Sequence, residues 1–175
     1  MSADGKKKSN AGFSLVELMV VVAIISVLIG AVAITYSIVG KANAKSYATT
    51  LKQAIATARS ETMGRVQNTY ELILTGESDG TVYVQVGQGT RREEVASSKI
   101  PMDIYSDGVH IPMGAGMVFR VKFSKADGRI TSMQFDGAPS GAFVSPGELC
   151  FECGDPSGKH YTVHVVKQTG KVYMD

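Results

Sequence analysis

The chain of 175 residues has no tryptophan and only two cysteines, Cys150 and Cys153. That excludes a disulfide-dense secreted scaffold, which is held by cross-links in place of a sizeable core. Proline is missing from the whole first half, the first being Pro101. Charge is missing from Leu18 to Ile34, a run of aliphatics and alanines interrupted only by Met19, Ser26 and Gly30. Patterns that carry chemistry are scarce as well. There is no P-loop, no G-x-S-x-G elbow and no EF-hand spacing. Nothing assembles a nucleophile, a base and an oxyanion site, so the chain reads as a non-enzyme with no cofactor and no metal site.

What charge there is sits unevenly. Eighteen basic against sixteen acidic side chains give a formal charge of +2. Lys6, Lys7 and Lys8 against Asp4 account for that whole excess, so the chain from Phe13 onward is neutral, with 15 of each sign. A neutral chain with few clustered basic residues indicates no nucleic-acid partner. The lysine cluster reads as a cytoplasmic retention signal that orients the following apolar segment with its N-terminus inside. Lys41 and Lys45 soon follow on the other side, so orientation rests mainly on the motif described next.

Gly12-Phe13-Ser14-Leu15-Val16-Glu17-Leu18 places one carboxylate five residues past a Gly-Phe junction, at the head of the apolar run. Packing gives no reason for it. A carboxylate inside a bilayer costs roughly 2.5–3.5 kcal/mol on insertion scales and calls for a cationic partner. Phe13 to Val39 exceeds the ~20 residues that span a bilayer. One competing reading is an ordinary secretory signal, with Lys6–Lys8 as its basic region and Ala31-Val32-Ala33 as its cleavage site. Its apolar core is too long for that, and Glu17 sits where such a signal wants no charge. Another is a plain single-pass anchor for an unrelated secreted or membrane-held domain, which has no use for Gly12-Phe13 or for Glu17.

From Gly12 to Ile25 the pattern resembles the N-terminus of the type IV pilin and pseudopilin superfamily. The resemblance implies a leader, residues 1–12, cut between Gly12 and Phe13 by a prepilin peptidase that also methylates the new Phe13 amine. It implies that residues 13–39 form a transmembrane helix that later becomes the packed core of a filament. Glu17 would then pair with the Phe13 ammonium of a neighbouring subunit during assembly, which leaves neither buried charge without a partner. Other pilin or pseudopilin subunits, an inner-membrane assembly platform and membrane lipid are the further partners implied. The expected location is the inner membrane, single-pass with the head outside, and then a pilus or pseudopilus. Many family members carry a proline where this chain has Ile34, so any bend is expected near Gly30 or Gly40.

Nothing but those two glycines interrupts a helix from Phe13 to about Arg65. Over residues 40–66, Ala44, Tyr47, Ala48, Leu51, Ile55, Ala58, Thr62 and Val66 recur at spacings of three and four, one face of an amphipathic helix. Lys45, Lys52 and Arg59 lie seven apart on the other side, either a solvated face or a contact with neighbouring subunits. Residues 67–175 then form a β-rich head. Val82–Val86, Met117–Phe123, Arg129–Phe135 and Tyr161–Val165 alternate with period two. Asp-Gly pairs at 79–80, 107–108, 127–128 and 136–137 mark turns, as does Thr169-Gly170. Hairpins are predicted across Asp127-Gly128 and between His160–Lys167 and Lys171–Met174. Residues 137–149 and the charged stretch Arg91–Glu94 read as surface loops, and His110 as a satisfied strand-end histidine. The fold class is therefore α+β, a long N-terminal helix packed against an antiparallel β-rich head. The closing hairpin resembles the end of H-type minor pseudopilins and related minor pilins, so the resemblance implies a minor subunit. A filament-tip module for adhesion or DNA uptake is compatible with the same N-terminus.

Cys150-Phe151-Glu152-Cys153 followed by His160 and His164 has the order of a zinc site. If His160 to His164 lie on one strand they stand roughly 13 Å apart, too far for one ion. The segment offers no helix N-terminus to activate a thiol. A local disulfide between Cys150 and Cys153 needs a turn at Phe151-Glu152; otherwise both are free thiols.

Overall fold

The computed structural model describes residues 14–64, 70–136, 147–154 and 158–175, leaving out the side chains of residues 31–39. The chain divides into two compact units, residues 1–36 and 37–175. Helix α1 (Leu15–Gly64) supplies the described part of the first and opens the second. Ser14 precedes it and its carbonyl accepts the Leu18 amide at 3.1 Å, closing the first helical turn. The helix passes through Gly30 and Gly40 without a break. Ser26 and Thr49 donate their hydroxyls back to the carbonyls of Val22 and Lys45, both at 2.8 Å. Val66, the last residue of the predicted helical face, lies outside the described residues.

Among the described residues the second unit adds ten strands. These are β1 (Glu71–Gly76), β2 (Val82–Val86), β3 (Arg92–Ala96), β4 (Met102–Ser106), β5 (Val109–Pro112), β6 (Val118–Phe123), β7 (Ile130–Asp136), β8 (Glu148–Gly154), β9 (His160–Val166) and β10 (Lys171–Met174). They build two five-stranded antiparallel sheets, in the orders β3-β2-β1-β6-β7 and β10-β9-β8-β4-β5.

One core joins the second half of α1 to both sheets. Ala48, Leu51, Ile55 and Ala58 of the helix are buried with Leu72, Leu74, Val84, Phe119 and Val121 of the first sheet and Ile104, Leu149, Phe151, Val163 and Val165 of the second. Phe119 meets Phe151 edge to face at 6.0 Å, one ring from each sheet. Each buried Val, Leu, Ile or Phe side chain among them contributes about 1.5–3 kcal/mol relative to exposure. The helix meets this core partly through alanines, Ala44, Ala48, Ala54 and Ala58. Small side chains let a helix backbone approach closely.

The predicted hairpins form. β6 pairs β7 across Asp127-Gly128, and β9 pairs β10 across Thr169-Gly170. The irregular alternation in β7 has a local cause. A register shift opposite Lys122 and Phe123 puts Ile130, Met133 and Phe135 on the half-buried side, three and then two residues apart. The Asp-Gly pairs at 79–80, 107–108 and 127–128 all sit between strands, each with its glycine at positive φ, and at the second Asp107 shares it with φ 51°. Gly137 of the fourth pair lies outside the described residues.

Two loop readings need correction. Arg92–Ala96 is strand β3, its charges held by Arg92 to Glu77 at 2.8 Å, by Tyr47 donating to Glu94, and by Arg92 stacked 4.9 Å over Tyr83. The predicted loop 137–149 overlaps β8, which begins at Glu148; residues 137–146 lie outside the described ones. The helix basic stripe is not uniformly solvated either. Lys45 is exposed, but Lys52 and Arg59 are half-buried. The Arg59 Nε is enclosed, with no hydrogen-bond acceptor among the described residues.

Arg59 lies where the β6–β7 and β9–β10 turns meet. A methyl added at Gly170, which has φ 63°, would overlap the Gly128 carbonyl oxygen and stand 2.8 Å from the Arg59 Nε. At Gly158, φ 82°, a methyl would meet nothing within 4 Å. Gly170→Ala is therefore expected to lose about 2–4 kcal/mol, backbone strain and overpacking together, and Gly158→Ala only about 1–2. Thermal unfolding of the two variants checks this; equal losses would mean the two turns do not pack on each other.

Candidate functional site

The described part of the first unit carries a single charge. Ser14 to Gly30 contains Glu17 and otherwise no charged residue. Gly12 and Phe13, the predicted processing residues, lie outside the described residues, as does the predicted leader. Glu17 is described, and it is exposed in the first turn of α1. There it stands three residues past Ser14, the spacing of a capping box, with its charge against the positive end of the helix dipole. A first-turn carboxylate gains typically about 0.3–1 kcal/mol from that position, less than the cost of burying it in lipid. Helix capping alone therefore leaves the carboxylate unexplained if this segment is buried in an apolar medium.

The aliphatic side chains around it are unburied. From Leu15 to Ile29 the large apolar residues are between 45% (Val21) and 75% (Leu15) exposed. So contiguous an apolar surface marks a contact site with lipid or protein. Among the described residues no helix is long and apolar enough to cross a membrane. The described apolar side chains end at Gly30, and Phe13 and residues 31–39, which complete the predicted span, lie outside them.

In the head, strand geometry separates the cysteines. Cys150 and Cys153 both lie within β8, and no turn forms at Phe151-Glu152. Three residues of strand put their Cα atoms about 10 Å apart, beyond the ~7 Å that a disulfide tolerates. An odd separation also turns them to opposite faces. Cys153 is buried in the core, Cys150 is half-buried on the outer face, and both are free thiols. This corrects the disulfide option. His160 and His164 lie together on β9 with their spacing unrelieved, so the C-x2-C…H-x3-H set does not converge. His160 instead binds Glu152 at 2.6 Å, while His164 faces Cys150 at 3.2 Å.

Neither thiol is activated. Burial pushes Cys153 up to about 12. Burial first, and then the charges of Glu148 and Asp175, push Cys150 up as well. His110, in β5, stacks on Tyr105 at 4.6 Å and binds Asp103 at 3.2 Å, as a satisfied strand histidine would. An open groove of about 430 Å³ runs between α1 and the first sheet, lined by residues including Gln53, Thr57, Glu61, Tyr70, Arg91 and Glu93. Its lining has no cysteine, serine or histidine.

Native protein is expected to expose only Cys150 to a thiol reagent, and slowly, with Cys153 reacting on unfolding. Without reductant, alkylation in denaturant should label both. A pair that labels only after reduction would mean that β8 opens to form the bridge.

Residues 7–33 match the prokaryotic N-terminal methylation motif, the signature of type IV pilins and pseudopilins. No characterised protein and no solved structure matches the chain.

Proposed function

We propose that this chain, a type IV pilin-like precursor by its methylation signature, is a minor subunit of a type IV pilus or of a type II secretion pseudopilus. A prepilin peptidase removes residues 1–12 and methylates Phe13. Residues 13–39 hold the subunit in the inner membrane, N-terminus inside and head outside. The assembly platform then draws it into a filament in which neighbouring helices replace lipid. The observation that carries this reading is the motif over residues 7–33 together with Glu17, the one charge in an exposed apolar helix face. Filament growth is mechanical and needs no catalytic group from this chain.

Glu17 does the registering. While the subunit rests in lipid its carboxylate is costly. In the filament the methylated Phe13 amine of the adjacent subunit stays cationic and supplies the partner. The pairing distinguishes the correct axial position from neighbouring ones, because a slip of one turn leaves both charges buried and alone.

The test is quantitative mass spectrometry of the N-terminal peptide in sheared surface filaments and washed membranes. Mature methylated Phe13 in the sheared fraction makes this a pilus subunit, and its stoichiometry shows whether it is minor. The same terminus confined to membranes makes it a pseudopilus subunit. A terminus at Ile34 overturns the reading. Gly12→Ala or a bulkier change should leave the leader attached, and normal processing of that variant would sink the peptidase assignment. Glu17→Ala should be processed normally yet be nearly absent from filaments, since removing one member of a buried charge pair costs about 3–5 kcal/mol. Unimpaired incorporation would refute the pairing.

A further inference from the structure

On the outer face of the second sheet, pairing across three strands gathers a mixed set of donors. Cys150 of β8 stands opposite His164 of β9, and His164 stands opposite Tyr173 of β10. Glu148, two residues before Cys150, points from the same face. The Cys150 Sγ lies 3.2 Å from the His164 Nδ1, and the Glu148 Oε2 lies 3.4 Å from that same nitrogen. Sulfur, nitrogen and oxygen all fall within 4.8 Å of one another. An ion bonded at ~2.0–2.3 Å in tetrahedral geometry needs donors about 3.3–3.8 Å apart, so only small side-chain adjustments separate this set from a coordination shell.

We propose that Glu148, Cys150 and His164 bind one divalent transition-metal ion of the zinc class, with water in the fourth position. The surrounding groups are arranged as a supporting shell for such an ion. Asp175 lies 3.3 Å from the His164 Nε2, where it would hold the ring proton once Nδ1, which faces Cys150 and Glu148, binds the ion. Asp175 is not a loose end: its amide donates to the Thr162 carbonyl at 3.0 Å, and its carbonyl accepts the Thr162 amide at 3.2 Å. Tyr173 stacks flat on the imidazole, 4.6 Å away and inclined by 2°, and so favours this ring orientation. Its hydroxyl donates to the Glu148 Oε1 at 3.0 Å and leaves Oε2 for the metal.

The donor chemistry selects the ion. One thiolate, one imidazole and one carboxylate suit zinc or cobalt and offer too few oxygens for calcium or magnesium. Binding replaces the thiol proton, which leaves to solvent, and ties β8, β9 and β10 together at the end of the chain. The site owes nothing to the N-terminal motif and stands or falls separately from the filament reading.

The test titrates the full chain, in detergent, with Co²⁺ and then with Zn²⁺. One Co²⁺ per chain should bind, with a thiolate-to-cobalt charge-transfer band that Zn²⁺ abolishes. The band should vanish in Cys150→Ser and persist in Cys153→Ala. Asp175→Asn should keep the band but weaken binding about 10–100-fold, the usual effect of losing an outer-shell partner. Zn²⁺ should raise the unfolding temperature of the wild type and not that of Cys150→Ser. Should Cys150→Ser fail to fold by circular dichroism, His164→Gln takes its place. A cobalt complex without a thiolate band, a band that survives loss of Cys150, or an equal response to Mg²⁺ would overturn the proposal.

Discussion

The close approach of α1 to two sheets is the constraint on which the head depends. Neither sheet has a core of its own. Leu72, Leu74 and Phe119 on one and Leu149, Phe151 and Val163 on the other become a single interior only with Leu51, Ile55 and the helix alanines. A larger residue at Ala48 or Ala58 would hold the helix away, and a void would cost more than the added side chain contributes. The same closeness explains Arg59, whose half-buried side chain lies under two hairpin turns that carry glycine where they meet it.

The two units obey opposite rules. Among the described residues of 37–175 most large apolar side chains are removed from water within the chain. In the described part of the first unit they are left exposed, along a helix whose one charge is in its first turn. In the proposed reading the first unit serves assembly, and the outer face of the second sheet carries a donor set of its own.

Much of the fold was legible. A helix from Leu15 onward follows from the absence of proline, and β2, β6 and β9 follow from clean alternation. Asp-Gly and Thr-Gly locate their hairpins because few other pairs accept positive φ so cheaply. β1 was hidden because Ile73 blurs the alternation of Leu72 with Leu74. β3 was hidden because Arg92, Glu93 and Glu94 read as loop, although an edge strand tolerates and even favours such charge. The start of β8 reads as loop because glycine and proline crowd the residues before it.

The sequence by itself determined the methylation motif, the position of Glu17, the long helix and the local hairpins, since each depends on residues only a few positions apart. It did not determine which strands share a sheet, because the β1–β6 and β4–β8 pairings join residues some forty or fifty positions apart. The donor set of the head shows the same division. Sequence order suggested Cys150 with Cys153 and His160 with His164. Strand pleating sends the two cysteines to opposite faces, and the β8–β9–β10 register assembles Cys150 and His164 with Glu148, Tyr173 and Asp175. Only tertiary structure could choose those partners, because a strand's neighbours in space are set by the sheet and not by the chain.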